Sequence, residues 1–203
     1  MERVLAISQA KANLLFDEDL YLIKMPRKQA ENNSNFRHIV SYSAILCQRK
    51  IALYQRAGSE TRLHGLLSIG FGGHVTTEDI VLKHEVSSTL DGLYDIMEIA
   101  GAINIDATVR KALRRELEEE VGLQSDDFER IGLITLDKTP VDFVHVGVAF
   151  STKVETFDMV RTSFEIKEIS WVSKQELKEI AAKGKLESWS CKLLEFLEER
   201  HLI

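Results

Sequence analysis

Four glutamates, Glu116, Glu118, Glu119 and Glu120, crowd into one short stretch of this chain. On a helix, at about 100° per residue, Glu116 lies about 40° from Glu120 and about 60° from Glu119 on the other side. Three carboxylates therefore share an arc of about 100°, and Glu118 points away. That grouping is unfavourable by itself. Like charges at i,i+4 repel by a few tenths of a kcal/mol, roughly, and each anion near the negative end of a helix loses about 0.3–1 kcal/mol. A divalent cation removes the conflict, and a hard ion such as Mg²⁺ suits carboxylates unaccompanied by His or Cys. Spacing alone equally allows a solvated acidic face balanced by Arg110, Lys111, Arg114 and Arg115.

The element that must carry these groups is the clearest helix in the sequence, predicted over Asp106–Gly122. Asp106 serves as its N-cap, Val109, Ala112, Leu113, Leu117 and Val121 recur at three- and four-residue spacing, and Gly122 stops it. Before it, the run 38–46 and the run 51–54 flank Gln48-Arg49-Lys50 and read as a hairpin, although the turn lacks the usual Gly or Asn. A third run, 66–71, ends in Gly72-Gly73-His74, and paired glycines after a strand imply a sharp turn or a close backbone approach. After the helix, 131–136, 143–150 and 166–172 read as strands. Helices follow after Ser173 as N-cap and from about Glu187 to Arg200. The polar stretch Pro26 to Asn35 reads as a loop. The sum is an α+β chain, a mixed sheet flanked by helices.

Size and charge bound the rest. The 203 residues are 44% hydrophobic and carry 26 Lys+Arg against 32 Asp+Glu, a net charge of −6. That suits one folded domain and disfavours a broad electrostatic grip on a nucleic-acid duplex. A small anionic substrate is allowed if a cation carries the contact. The two cysteines, Cys47 and Cys191, form no CxxC or Cys/His cluster, so a reducing cytoplasm is expected. No apolar run reaches the roughly 18 residues of a membrane span, and the N-terminus is not a signal peptide.

The stretch Arg115-Glu116-Leu117-Glu118-Glu119-Glu120-Val121-Gly122-Leu123 resembles R-E-U-x-E-E-x-G-U (U aliphatic), the second half of the Nudix hydrolase signature. Gly101 stands where the first half, G-x5-E-x7-R, would begin, but the glutamate position holds Ala107. Gly72-Gly73-His74-Val75 resembles the family's glycine loop, from which a count of six reaches Glu78 or Asp79. We read a split motif with an insertion at about residues 80–105; the alternative is an intact loop at Gly101 whose glutamate is lost. The segment Phe164 to Val172, followed by Glu176-Leu177, is similar to the family's late E-x5-W-V strand and helix. Glu60-Thr61-Arg62-Leu63 and Ser68 to His74 add a similarity to Nudix proteins known only as phosphoesterases.

The resemblance implies a Nudix-like α/β/α sandwich over 36–203, with residues 1–35 as an N-terminal extension packed on the domain. It also implies hydrolysis of a phosphoanhydride in a nucleoside diphosphate linked to another moiety, with Mg²⁺ or Mn²⁺. Carried onto this sequence, Glu116, Glu119 and Glu120 are metal ligands and the Gly73 carbonyl completes the shell. Arg115 orients a carboxylate, and Glu165 or Glu168 is the candidate general base. Arg56 and Arg62 could clamp an anion, and His74 could reach a phosphate or simply bond to backbone. His145 should share a strand face with Phe143 and Gly147. Tyr54 and Phe71 suit either a base or the core. The alternative function is a catalytically weak nucleotide-binding sensor, which Ala107 motivates. A homodimer is compatible with the apolar residues of the insertion.

Overall fold

The computed structural model describes residues 2–17, 22–55, 65–83, 103–162, 166 and 168–203. The chain divides into two units. One comprises Met1–Ser41, Gly73–Ala112 and Thr135–Val148; the other comprises Tyr42–Gly72, Leu113–Ile134 and Ala149–Ile203.

In the first unit, strand β1 (Arg3–Ser8) lies between β2 (Ile23–Pro26) and the start of β3 (Phe36–Cys47). Ala6 pairs antiparallel with Ile23 on one side and with His38 on the other. Val4, Leu5, Ala6 and Ile7 are all fully buried, so β1 is covered on both faces and shows no alternation. The first 35 residues thus supply two strands. Within the stretch expected as loop, Arg27–Ala30 forms one helical turn, α1, and its Ala30 joins a core of Val4, Ala6 and Met25, with Ile23 and Phe36 against it. Buried Arg37 fixes the far end of this unit. Its guanidinium donates to the carbonyls of Leu136 (3.2 Å), Asp142 (2.9 Å) and His145 (2.9 Å) and pairs with the Asp137 carboxylate.

In the second unit, β3 turns into β4 (Lys50–Gln55) through Gln48 and Arg49, both at positive φ, +48° and +65°. This is the left-handed geometry that a two-residue hairpin demands, met here without glycine or asparagine. β4 pairs with β9 (Ile169–Val172) from Ile51↔Val172 to Tyr54↔Ile169 and with β5 (Leu67–Ser68). β6 (Gly70–Phe71) pairs with β3 at Ser43↔Phe71. β7 (Phe128–Ile134) pairs with β8 (His145–Lys153), which also pairs with β3. The β1–β2, β1–β3, β3–β4, β3–β6, β4–β5 and β4–β9 pairings are antiparallel, and a parallel bridge, Leu67↔Leu186, makes the sheet mixed.

Helix α2 is Ile105–Val121. Its stripe of Val109, Ala112, Leu113, Leu117 and Val121 is buried to within 1%, worth of order 1.5–3 kcal/mol for each large side chain. Its cap differs from expectation. Asn104 Oδ1 accepts the Ala107 N–H at 3.0 Å, whereas Asp106 lies inside the helix and pairs with Arg110 at 2.6 Å. Gly122, at φ +64°, ends the helix as expected. Phe143, expected to open a strand, instead closes a helical turn, α3 (Pro140–Phe143), because Thr139 accepts the Asp142 N–H and Pro140 occupies the first position. Phe143 is therefore exposed and does not share a strand face with His145. α4 (Lys174–Ala182) starts in a capping box between Ser173 and Glu176, and α5 (Ser188–Glu199) packs on β7 and β6. Among the described residues no helix is long and apolar enough to cross a membrane.

Candidate active site

The last two turns of α2 place the glutamates as the helical spacing requires. Glu118 points outward and accepts the Gln124 side-chain amide at 2.7 Å. On the other arc, Arg115 Nη1 donates to Glu116 Oε1 at 2.7 Å and to Glu119 Oε2 at 3.4 Å. Glu116 is more sheltered than Glu119, its side chain 16% exposed against 61%. Arg115 thus orients two carboxylates and offsets part of their mutual repulsion.

Glu120 is held differently. Its Oε2 accepts the backbone N–H of Gly72 at 2.8 Å. Gly72 sits at φ +136°, a conformation in which an L side chain is strained, so one member of the glycine pair has the special backbone that the sequence implied. Its neighbour Gly73 offers a carbonyl that accepts two bonds from Ser41, from N–H at 2.9 Å and from Oγ at 3.3 Å. A hydrogen bond from a backbone N–H fixes that carboxylate oxygen in place.

The donor set fits a hard divalent ion. It consists of oxygen donors from carboxylates gathered at one helix end, with neither sulfur nor imidazole among Glu116, Glu119 and Glu120, and with each of the three held by a hydrogen bond.

Two carboxylates near the box's first half, Asp79 from the glycine-loop count and Asp106 beside Ala107, have local roles. Asp79 Oδ2 accepts the Thr76 N–H at 2.8 Å and its hydroxyl at 2.9 Å, capping the single turn Thr77–Asp79. Asp106 pairs with Arg110. Glu78 is exposed, and its carbonyl accepts Lys111 Nζ at 2.7 Å. The segment between loop and helix leaves and returns at one place. Leu82 and Ile103 form an antiparallel bridge, and the Asn104 N–H reaches the Val81 carbonyl at 2.8 Å.

Arg56, Arg62, Gly101 and Glu165 lie outside the described residues. Glu168 is exposed. Tyr54 and Phe71 are core residues, 5% and 0% exposed, with ring centroids 4.8 Å apart and the Tyr54 hydroxyl on the Gly70 carbonyl. His74 meets another histidine: its Nε2 is 3.1 Å from His145 Nε2. His38 completes a trio with them. Sequence reasoning passed over His38 as a strand residue, and its one signal was an ionisable side chain inside an otherwise apolar run.

The comparisons with known proteins agree with this geometry. The NUDIX domain model matches residues 37–194. Protein YmaB of Bacillus subtilis (strain 168) is 30% identical over 182 residues, covering 86% of this chain and 78% of that protein. The crystal structure of Tm1382 superposes with a TM-score of 0.65 at 22% identity, covering 100% of both chains. The NUDIX domain of Shewanella oneidensis NrtR, complexed with ADP ribose, superposes with a TM-score of 0.51 at 12% identity, over 81% of this chain and 88% of that one. With the family model spanning most of the chain and the glutamate helix in place, the protein belongs to the NUDIX domain family.

Proposed function

We propose that this protein is a Mg²⁺- or Mn²⁺-dependent hydrolase that cleaves a phosphoanhydride in a nucleoside diphosphate linked to another moiety. The observation that carries the reading is the bond from Gly72 N–H to Glu120 Oε2 at 2.8 Å, which links Gly72 of the glycine loop to the glutamate helix and so supports a motif split in sequence. ADP ribose, bound by the NrtR domain, is a substrate of this chemical class.

Glu116, Glu119 and Glu120 would hold the ion. Such an ion supplies neutralisation of phosphate oxygens and an acidified water. The chain's own contributions are positional. Arg115 holds Glu116 and Glu119 with their oxygens turned to one side. Gly72 fixes the rotamer of Glu120. Arg56 and Arg62 supply guanidinium donors for the anionic substrate, and Glu165 or Glu168 takes the proton of the attacking water. The stretch from about 80 to 105 is an insertion between glycine loop and helix, consistent with its ends meeting at Leu82 and Ile103.

The test is release of phosphate or nucleotide from ADP-ribose, nucleotide sugars, dinucleotides and nucleoside triphosphates with Mg²⁺ or Mn²⁺, run beside Glu116→Gln and Glu120→Gln. Turnover of a diphosphate-linked substrate that both variants lose is the expected result. Metal-dependent nucleotide binding with no turnover on any substrate would replace the hydrolase with a nucleotide sensor.

A further inference from the structure

His38, His74 and His145 come from positions far apart in sequence and gather in the first unit. His38 lies on β3, His74 bridges Val40, and His145 opens β8. Their ring centroids are 5.5, 4.7 and 5.2 Å apart, and one ring nitrogen of each lies within 4.8 Å of the others.

Two features separate this trio from ordinary aromatic packing. His38 is 0% exposed, and its ring nitrogens lack a well-formed hydrogen bond, the Ala30 backbone being the polar group near them. A buried imidazole so poorly partnered is unfavourable, and an apolar side chain in the same strand position would avoid that cost. His145, in turn, is prepared as a ligand. Its Nδ1 lies 2.7 Å from the Val141 carbonyl, which can only accept, so Nδ1 carries the hydrogen and the Nε2 lone pair faces His74. A hydrogen bond of this kind from the second ring nitrogen to a backbone carbonyl is how metal-bound histidines are oriented. Arg37 fixes the same residue from behind through the His145 carbonyl.

We propose that His38, His74 and His145 bind one Zn²⁺ ion, at a site separate in chemistry from the carboxylates of α2. Three imidazoles favour a borderline transition metal and discriminate against Mg²⁺ and Ca²⁺, which take oxygen. Tetrahedral Zn²⁺ with bonds of about 2.0–2.1 Å holds its nitrogens about 3.3 Å apart, close to the 3.1 Å between His74 and His145 Nε2. The widest separation, up to 4.8 Å, exceeds this, so binding draws the rings inward. His74 then carries its hydrogen on Nδ1, and water takes the fourth position. The ligands must be neutral to bind. The ion would tie β3, the Gly72-Gly73-His74 loop and β8 together. The proposal does not depend on the hydrolase reading.

The experiment uses full-length protein stripped with a chelator and titrated with ZnCl₂, read by calorimetry and by metal content, beside the double variant Glu116→Gln/Glu120→Gln and the single variants His74→Gln and His145→Gln. Expected is one Zn²⁺ per chain in the unmutated protein and in the double glutamate variant, retained against excess Mg²⁺ and weakened at least tenfold in each histidine variant. Absence of stoichiometric Zn²⁺, affinity unchanged in both histidine variants, or loss of binding in the glutamate double variant would each overturn it. Should the histidine variants misfold, Co²⁺ in the unmutated chain decides. Intense visible bands of a four-coordinate nitrogen site support the proposal, and the pale spectrum of six oxygen ligands overturns it.

Discussion

Arg115 Nη1 reaches Glu116 at 2.7 Å and Glu119 at 3.4 Å, so one cation one residue before the cluster organises two of its three carboxylates. If its work is orientation, Arg115→Gln leaves the ligands in place but loosely held. The expected outcome is a rise of about tenfold in the Mg²⁺ concentration for half-maximal turnover, the scale typical of losing an outer-shell partner, with KM for the substrate nearly unchanged. A rise in substrate KM with an unaltered metal requirement would instead put the guanidinium on the substrate.

Metal binding and folding should be linked at the same carboxylates. An ion that binds only the folded chain stabilises it by about 1.4 kcal/mol at ten times its dissociation constant. Mg²⁺ should therefore raise the melting temperature of the unmutated protein, and Glu116→Gln should abolish the rise while leaving the metal-free protein as stable or slightly more so, since a repulsion is removed. Differential scanning fluorimetry with and without Mg²⁺ reads both effects. An equal Mg²⁺ response in the variant would return the cluster to a solvated acidic face.

How much of this was legible in the sequence follows from the range of the interactions involved. The body of α2, its Gly122 stop and the outward turn of Glu118 are local consequences of a 3.6-residue period, and they stand where periodicity put them. The cap slipped from Asp106 to Asn104 because two good cap residues lie two positions apart, and only the bond to the Ala107 N–H chooses between them. Phe143 looked like the start of a strand because apolar residues follow it, although Thr139-Pro140 ahead of Asp142 was already a helix-start signal. The N-terminal segment that forms β1 could be read as strand or helix alike, because Val4 to Ile7 is buried on both faces and has no alternation to read. The bond between Glu120 and Gly72 and the gathering of three histidines depend on tertiary pairing, for which one sequence has no local signature.

Gly72 tests the loop half of the site separately from the helix half. At φ +136°, Gly72→Ala strains the backbone by about 1–2 kcal/mol and disturbs the N–H that holds Glu120. Activity should fall by at least tenfold while the protein remains folded at 25 °C, checked by steady-state kinetics beside a thermal melt. Full activity in the alanine variant would mean that the Glu120 rotamer is set by something other than this bond.

A buried carboxylate elsewhere in the second unit offers a stability prediction that metal does not touch. Glu187 is 4% exposed, and its Oε1 accepts hydroxyls from Tyr42 and Ser68 at 2.5 Å and from Ser190 at 3.0 Å. Tyr42→Phe removes one of three donors to a sheltered charge and should cost about 1.5–3 kcal/mol in denaturant unfolding. The Tyr42 ring is itself clamped, and Gly70 lies so close that an added Cβ would fall 1.8 Å from ring carbon Cζ. Gly70→Ala must therefore displace either the ring, breaking the same hydroxyl network, or β6, whose Phe71 pairs with Ser43. Its cost should exceed that of Tyr42→Phe, because overpacking of about 1–3 kcal/mol adds to the lost bonds. If the network is what makes Gly70 irreplaceable, Gly70→Ala in a Tyr42→Leu background, where the ring is gone, should cost clearly less than in the unmutated chain. Equal costs in the two backgrounds would show that the strand pairing, and not the Tyr42 ring, fixes the glycine.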